Sequence, residues 1–153
     1  MKLTDILTVS RIKAPLAATT KEALITELVD VLDAAGDLQD RQRVLSSVLE
    51  RERTRTTGIG GGLALPHGKS SGVDRLLLAV GKPAAPVDYD AIDGKPVQLA
   101  MLLVSPLEGT GPHIQALAHI SRLLSVDAFR RKLMAAQTSQ DIMEAIVQQE
   151  AQE

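Results

Sequence analysis

Apolar side chains recur at helical spacing early in the chain. Leu24, Ile25, Leu28, Val31 and Leu32 lie three and four apart, the stripe of an amphipathic helix. The predicted start is Thr19, because Thr19-Thr20-Lys21-Glu22 reads as a capping box, a hydroxyl followed three residues later by a glutamate. Gly36 is placed to close that helix in a left-handed turn. A second helix is predicted from Asp40, as its cap, to about Glu52, with Val44, Leu45, Val48 and Leu49 as its apolar face. Residues 1–18 show no period; Ile6, Val9 and Ile12 are scattered anchors in a mixed lead-in.

The pattern then changes twice. Gly58 to Gly68 is a glycine-rich passage that reads as a turn. Beyond it, Leu76 to Val80 and Val97 to Val104 are short, near-continuous apolar runs with turn residues on either side. Such runs predict strands covered on both faces, and Asp93-Gly94 between them is a strong turn signal. Helical spacing returns in Ile114, Leu117, Ile120 and Leu124, for a third helix starting near Pro112 or His113. Residues 127–136 and 139–149 read as two more helices, with Asp127 as cap of the first and Thr138 or Ser139 of the second. Helices, then strands, then helices predict an α/β fold with the sheet sandwiched between helices on both faces. The strand order does not follow from the pattern.

Composition narrows the function. A chain of 153 residues with no repeat and no low-complexity linker predicts one domain, and 44% hydrophobic residues can fill its core. The core must be aliphatic, since Tyr89 and Phe129 are the only aromatic rings besides histidine. That disfavours a site that stacks bases or sugars. A net charge of −2 argues against nucleic acid as a partner. Without cysteine there is no disulfide, thiolate metal site or cysteine nucleophile in the chain, which fits a reducing compartment. No signal-like leader and no apolar run of about 20 residues is present, so membrane insertion is not expected and a cytoplasmic location is.

The passage TTGIGGGLALPHGKSSG is the candidate for chemistry. A phosphate-binding P-loop fails on spacing: Gly68-Lys69-Ser70 supplies its end, but the first glycine would have to stand where Leu63 does. Pro66 also removes an amide from the would-be cradle. A dinucleotide fingerprint fails at the same position. A metal site is disfavoured, because His113 and His119 would point about 120° apart on a helix and no acid stands at ligand spacing beside His67. No cofactor is expected. Nucleophilic catalysis by His67 remains, since a neutral imidazole with one nitrogen held as a donor is a competent phosphoryl acceptor. Gly68 beside it would leave room for a partner's backbone to approach. On composition and spacing alone, a loop histidine whose ring is satisfied by a carbonyl is an equal reading. Arg51 as a solvated helix-end charge, His113 as a plain helix-start residue, His119 as an exposed or rim residue and Lys69 as a surface lysine are the ordinary readings of those positions.

Several stretches taken together change that balance: Arg51-Glu52, Thr56-Thr57-Gly58-Ile59-Gly60, Leu63-Ala64-Leu65-Pro66-His67-Gly68, Asp90 to Val97, and His113-Ile114-Gln115-Ala116-Leu117-Ala118. The pattern resembles the enzyme IIA domain of the sugar phosphotransferase system, of the fructose/mannitol type, a group that includes the nitrogen-regulatory enzyme IIA proteins. The likeness runs over about residues 3–149 and implies a mixed sheet layered between helices, in a single domain over 1–153. It implies that His67 is the phosphohistidine, His113 the second active-site histidine and Arg51 the motif arginine. The implied donor is a histidine phosphocarrier of the HPr type. The implied recipient is an enzyme IIB or, in the regulatory branch, a partner whose docking depends on the phosphorylation state. The triple run Gly60-Gly61-Gly62 is more glycine than the family pattern needs and predicts a loosened loop.

Overall fold

The computed structural model describes residues 1–153. Two turns of 3-10 helix, Leu3–Asp5 and Val9–Arg11, lead into strand β1, Ile12–Leu16. Helices α1 (Lys21–Ala34) and α2 (Arg41–Thr54) follow. Three short strands come next: β2 (Gly58–Gly60), β3 (Leu63–Ala64) and β4 (His67–Lys69). The two long strands are β5 (Leu77–Pro83) and β6 (Leu99–Ser105), and the chain ends in α3 (Thr110–Leu124), α4 (Asp127–Ala135) and α5 (Ser139–Glu150).

The sheet has six strands in the order β1-β5-β6-β3-β2, with β4 also pairing β6. It is mixed: β1 runs parallel to β5, β5 antiparallel to β6, and both β3 and β4 parallel to β6. Side chains on β5 and β6 alternate between two cores. Leu78, Val80, Leu99, Met101 and Leu103 face α3, α4 and α5, whereas Leu77, Ala79, Ala100, Leu102 and Val104 face α1 and α2. The two cores hold 21 and 19 buried residues, so the sheet is covered about equally on both faces, as the apolar runs predict.

Local signals place most element ends. Asp40 accepts from Arg43 N at 3.1 Å and Thr138 from Asp141 N at 3.1 Å, each the expected cap. Gly36 adopts φ +79° beyond α1, the left-handed conformation the stop requires. Four expectations need correction. The α1 cap is Thr20, whose hydroxyl accepts from Ala23 N, so the box over Thr19 is one residue early. Asp127 lies inside α4 after an uncapped Val126. The third helix starts at Thr110, three residues before His113. The lead-in contains β1, a strand too short and too interrupted by Pro15 to show a period.

The glycine-rich passage differs most from expectation. It is a run of short strands that extends the sheet, held by pairing to β6. Gly60, Gly61 and Gly62 adopt φ of +94°, +65° and +82°, so the run is a tight β2–β3 reversal that requires glycine and is not loose. Asp93 Oδ2 accepts from Gly61 N at 3.0 Å and ties the reversal to the Asp93-Gly94 turn.

Candidate active site

His67 is the first residue of β4, opposite Leu103 of β6. Leu103 N donates to Pro66 O at 3.0 Å, which fixes the chain just before it. Across the link Leu65-Pro66 between β3 and β4, the ring Nδ1 lies 2.9 Å from Leu65 O. A carbonyl only accepts, so Nδ1 carries the proton and the lone pair of the neutral ring is on Nε2. Burial pushes the His67 pKa down, the Leu65 carbonyl opposes it, Arg51 adds to the lowering and Glu52 works against it, with a net shift below the ordinary value. The neutral, nucleophilic form is therefore favoured near neutral pH.

His113 stands in the second turn of α3 and is only 6% exposed. Its Nδ1 lies 2.6 Å from Ser105 Oγ, at the end of β6. The Ser105 side chain is fully buried and this imidazole is its one partner. A buried hydroxyl left without an acceptor is costly, so Ser105 donates and the His113 proton resides on Nε2. Burial, then the charges of His67 and Lys69, push the His113 pKa down to about 4. The two imidazoles meet edge to face, with centroids 5.6 Å apart and planes at 60°.

Both rings open onto a cleft of about 510 Å³ that is also lined by Arg51, Lys69, Glu50 and Leu107. Arg51 lies in the last turn of α2 and donates from Nη1 to Arg55 O at 3.0 Å, which orients the guanidinium. All three residues singled out from the sequence, His67, His113 and Arg51, thus come together from β4, α3 and α2. The free first-turn amides of α3 belong to Thr110 and Gly111, which do not line the cleft.

Two readings of single residues change, those of Gly68 and His119, while Lys69 is exposed, as a surface lysine should be. Lys69 is on the same face of β4 as His67, lines the cleft and donates to Thr110 Oγ1 at 2.9 Å. The alternation of His67 and Lys69 about Gly68 is the period of a strand, masked in the sequence by the glycines and Pro66 before it. Gly68 makes room inside this chain, not for a partner: a Cβ there would meet Val48 Cγ2 and Val48 N at 3.2 Å, so α2 packs directly on β4. His119 is buried, 7% exposed, with Nε2 2.9 Å from the Glu150 carboxylate. No sequence signal marks Ser105, since a serine just past an apolar run reads as the end of a strand.

An α/β sandwich that brings two imidazoles and two cationic side chains, Arg51 and Lys69, to one cleft is suited to the transfer of an anionic group. Residues 5–149 match the family described as "Phosphoenolpyruvate-dependent sugar phosphotransferase system, EIIA 2", and the chain belongs to that family, a phosphotransferase component. It is 37% identical over 148 residues to the fructose-specific EIIABC component of Bacillus subtilis, covering 97% of this chain but 23% of that protein. It is 36% identical over 154 residues to the fructose-specific EIIA component of Haloferax volcanii, covering 97% of this chain and 100% of the relative. The nitrogen regulatory protein IIA-Ntr of Neisseria meningitidis has a solved structure that superposes with a TM-score of 0.84 at 30% identity, over 93% of this chain and 97% of that one. No helix is long and apolar enough to cross a membrane.

Proposed function

We propose that this chain is a phosphohistidine carrier in which Nε2 of His67 accepts the phosphoryl group. The carrying observation is the Leu65 carbonyl on Nδ1, which leaves the Nε2 lone pair as the nucleophile beside Arg51, Lys69 and His113. In the transfer, the N–P bond of the donor's phosphohistidine breaks as the bond from phosphorus to Nε2 forms. The His67 ring becomes cationic while Nδ1–H stays on the Leu65 carbonyl, which stabilises that charge. His113 donates from Nε2–H to a phosphoryl oxygen, and Arg51 and Lys69 neutralise the charge spread over the others. Alignment and charge do the work.

The donor is an HPr-type phosphocarrier and the recipient an enzyme IIB, in keeping with the Bacillus relative named for joined A, B and C components. Leu107, 59% exposed on the cleft wall, offers apolar surface to a docking protein. Residues 1–153 act as one domain, and such a carrier works in the cytoplasm. The alternative is regulatory: phosphate on His67 controls which partner docks, a reading supported by the likeness to the Neisseria IIA-Ntr protein. A phosphoryl group adds nearly two negative charges to the cleft, enough to make or break an interface.

The test is labelling with phosphoenolpyruvate, the first enzyme of the system and the phosphocarrier. One phosphoryl group per chain is expected, with none on His67→Ala; label on that variant would overturn the assignment. His113→Ala should slow transfer onward. Acceptance of the label by an enzyme IIB identifies transport, and phosphorylation-dependent capture of a regulatory protein without onward transfer identifies signalling.

A further inference from the structure

Adjacent to Arg51 on α2, Glu52 points the other way, into the protein, and is 6% exposed. A buried carboxylate is expensive unless every oxygen is engaged. Here Oε2 accepts from Thr57 N at 2.8 Å and from Lys21 Nζ at 2.8 Å. Oε1 accepts from the Thr57 hydroxyl and from Tyr89 OH, the latter at 3.1 Å. Burial pushes the Glu52 carboxyl up, but the hydrogen bonds from Lys21 and Thr57 together outweigh it and hold the group below its ordinary value. Glu52 is therefore a charged anchor that does not line the cleft.

The anchor leads back to the site. Thr57 O accepts from Leu65 N at 2.9 Å, and Leu65 O is the acceptor for Nδ1–H of His67. Arg51 meanwhile holds Arg55 O, so the last turn of α2 grips the segment before β2 with both residues. We propose that Glu52 is a positioning residue for His67: its carboxylate clamps Thr57 and, through the Thr57–Leu65 bond, the carbonyl that sets the His67 tautomer. Its negative charge also favours the cationic ring that forms when Nε2 is phosphorylated. The proposal rests on His67 being the acceptor.

The charged and titratable groups around His67 are Glu50, Arg51 and Glu52 on α2, Lys69 on its own strand and His113 on α3; its neighbour on β6 is the apolar Leu103. Among these, Arg51 lowers and Glu52 raises the His67 pKa. Two substitutions thus act in opposite directions. Glu52→Gln removes the negative charge and should lower the His67 pKa. Lys21→Met removes the cation that neutralises Glu52 and should raise it.

The experiment uses the full chain, with ring-nitrogen NMR titration of His67 and steady-state phosphoryl transfer from the phosphocarrier. Glu52→Gln should cut kcat about tenfold, the lower end of the range for losing the hydrogen-bonded support behind a metal-bound histidine, with KM for the carrier unchanged. Its Nδ1–H signal should give way to a mixture of tautomers. Tyr89→Phe removes one hydrogen bond to Glu52 but no charge, and should lower Tm while leaving tautomer and kcat as in the wild type. If Glu52→Gln does not fold, Lys21→Met alone decides, and an unmoved His67 titration overturns the proposal. Wild-type kcat and titration in both variants, with His67→Ala unlabelled, overturn the role of Glu52 and leave the phosphohistidine intact. Label on His67→Ala overturns both.

Discussion

Gly68→Ala tests whether the spacing of α2 and β4 sets the geometry of the cleft. The added Cβ would lie 3.2 Å from Val48 Cγ2, 3.2 Å from Val48 N and 3.3 Å from Ser47 C. Two of these three neighbours are backbone, so no rotamer change relieves the contact. The helix must retreat by a few tenths of an ångström. Overpacking of this kind costs about 1–3 kcal/mol. In a chain of this length that lowers Tm by about 2–12 °C. The retreat also moves Arg51, one turn further along α2, away from His67 on β4. A misplacement of 1 Å can cost about 100-fold in rate, so a few tenths should cost about 3- to 6-fold. The assay is thermal unfolding beside the initial rate of phosphoryl labelling at a temperature where both proteins are folded. Gly68→Ala combined with Val48→Ala removes the Cγ2 contact but not the backbone ones, so it should recover only part of the rate. Wild-type Tm and rate in Gly68→Ala would refute the argument that α2 is held on β4 by the missing Cβ.

Three further outcomes follow from the same geometry. His113 is held at about 4 in the folded protein against about 6.5 unfolded, so the unfolded chain binds more protons between those values. Its contribution to stability is complete above about pH 6.5 and is lost as pH falls towards 4; urea titrations at pH 7 and 4.5 should differ by on the order of 3 kcal/mol from this group, a difference abolished in His113→Gln. Lys69→Met removes one of the charges that depress His113, so its NMR titration should move upward; an unchanged titration would remove Lys69 from the electrostatics of the cleft. Glu150 accepts from Leu3 N at 2.6 Å and from His119 at 2.9 Å while buried, so Glu150→Ala leaves two buried donors unpaired and should cost about 2–6 kcal/mol, about 1–3 kcal/mol for each, with the rate of the remaining folded protein unchanged. A loss of rate without a loss of Tm would contradict that purely structural role.

Much of this protein is decided locally and can be read along the chain. The stripes of α1 and α2, the caps Asp40 and Thr138, the stop at Gly36 and the two buried strands each depend on residues within a few positions of one another. The family likeness added which histidines and which arginine to join. The remainder is non-local. Strands β1 and β4 are three to five residues long and exist only because β5 and β6 offer partners, so no period could announce them. The register of β4 on β6 sets Lys69 against Ser105 and starts the strand at His67, and a single-residue slip would turn His67 to the opposite face. The proton positions on His67 and His113 depend on the Leu65 carbonyl and the Ser105 hydroxyl, the second supplied by a different element. Burial of His119 against Glu150 joins residues 31 apart. The sequence thus determined which side chains were available for phosphoryl chemistry. Only the tertiary structure decided their protonation, because desolvation and hydrogen-bond partners arise when distant elements pack.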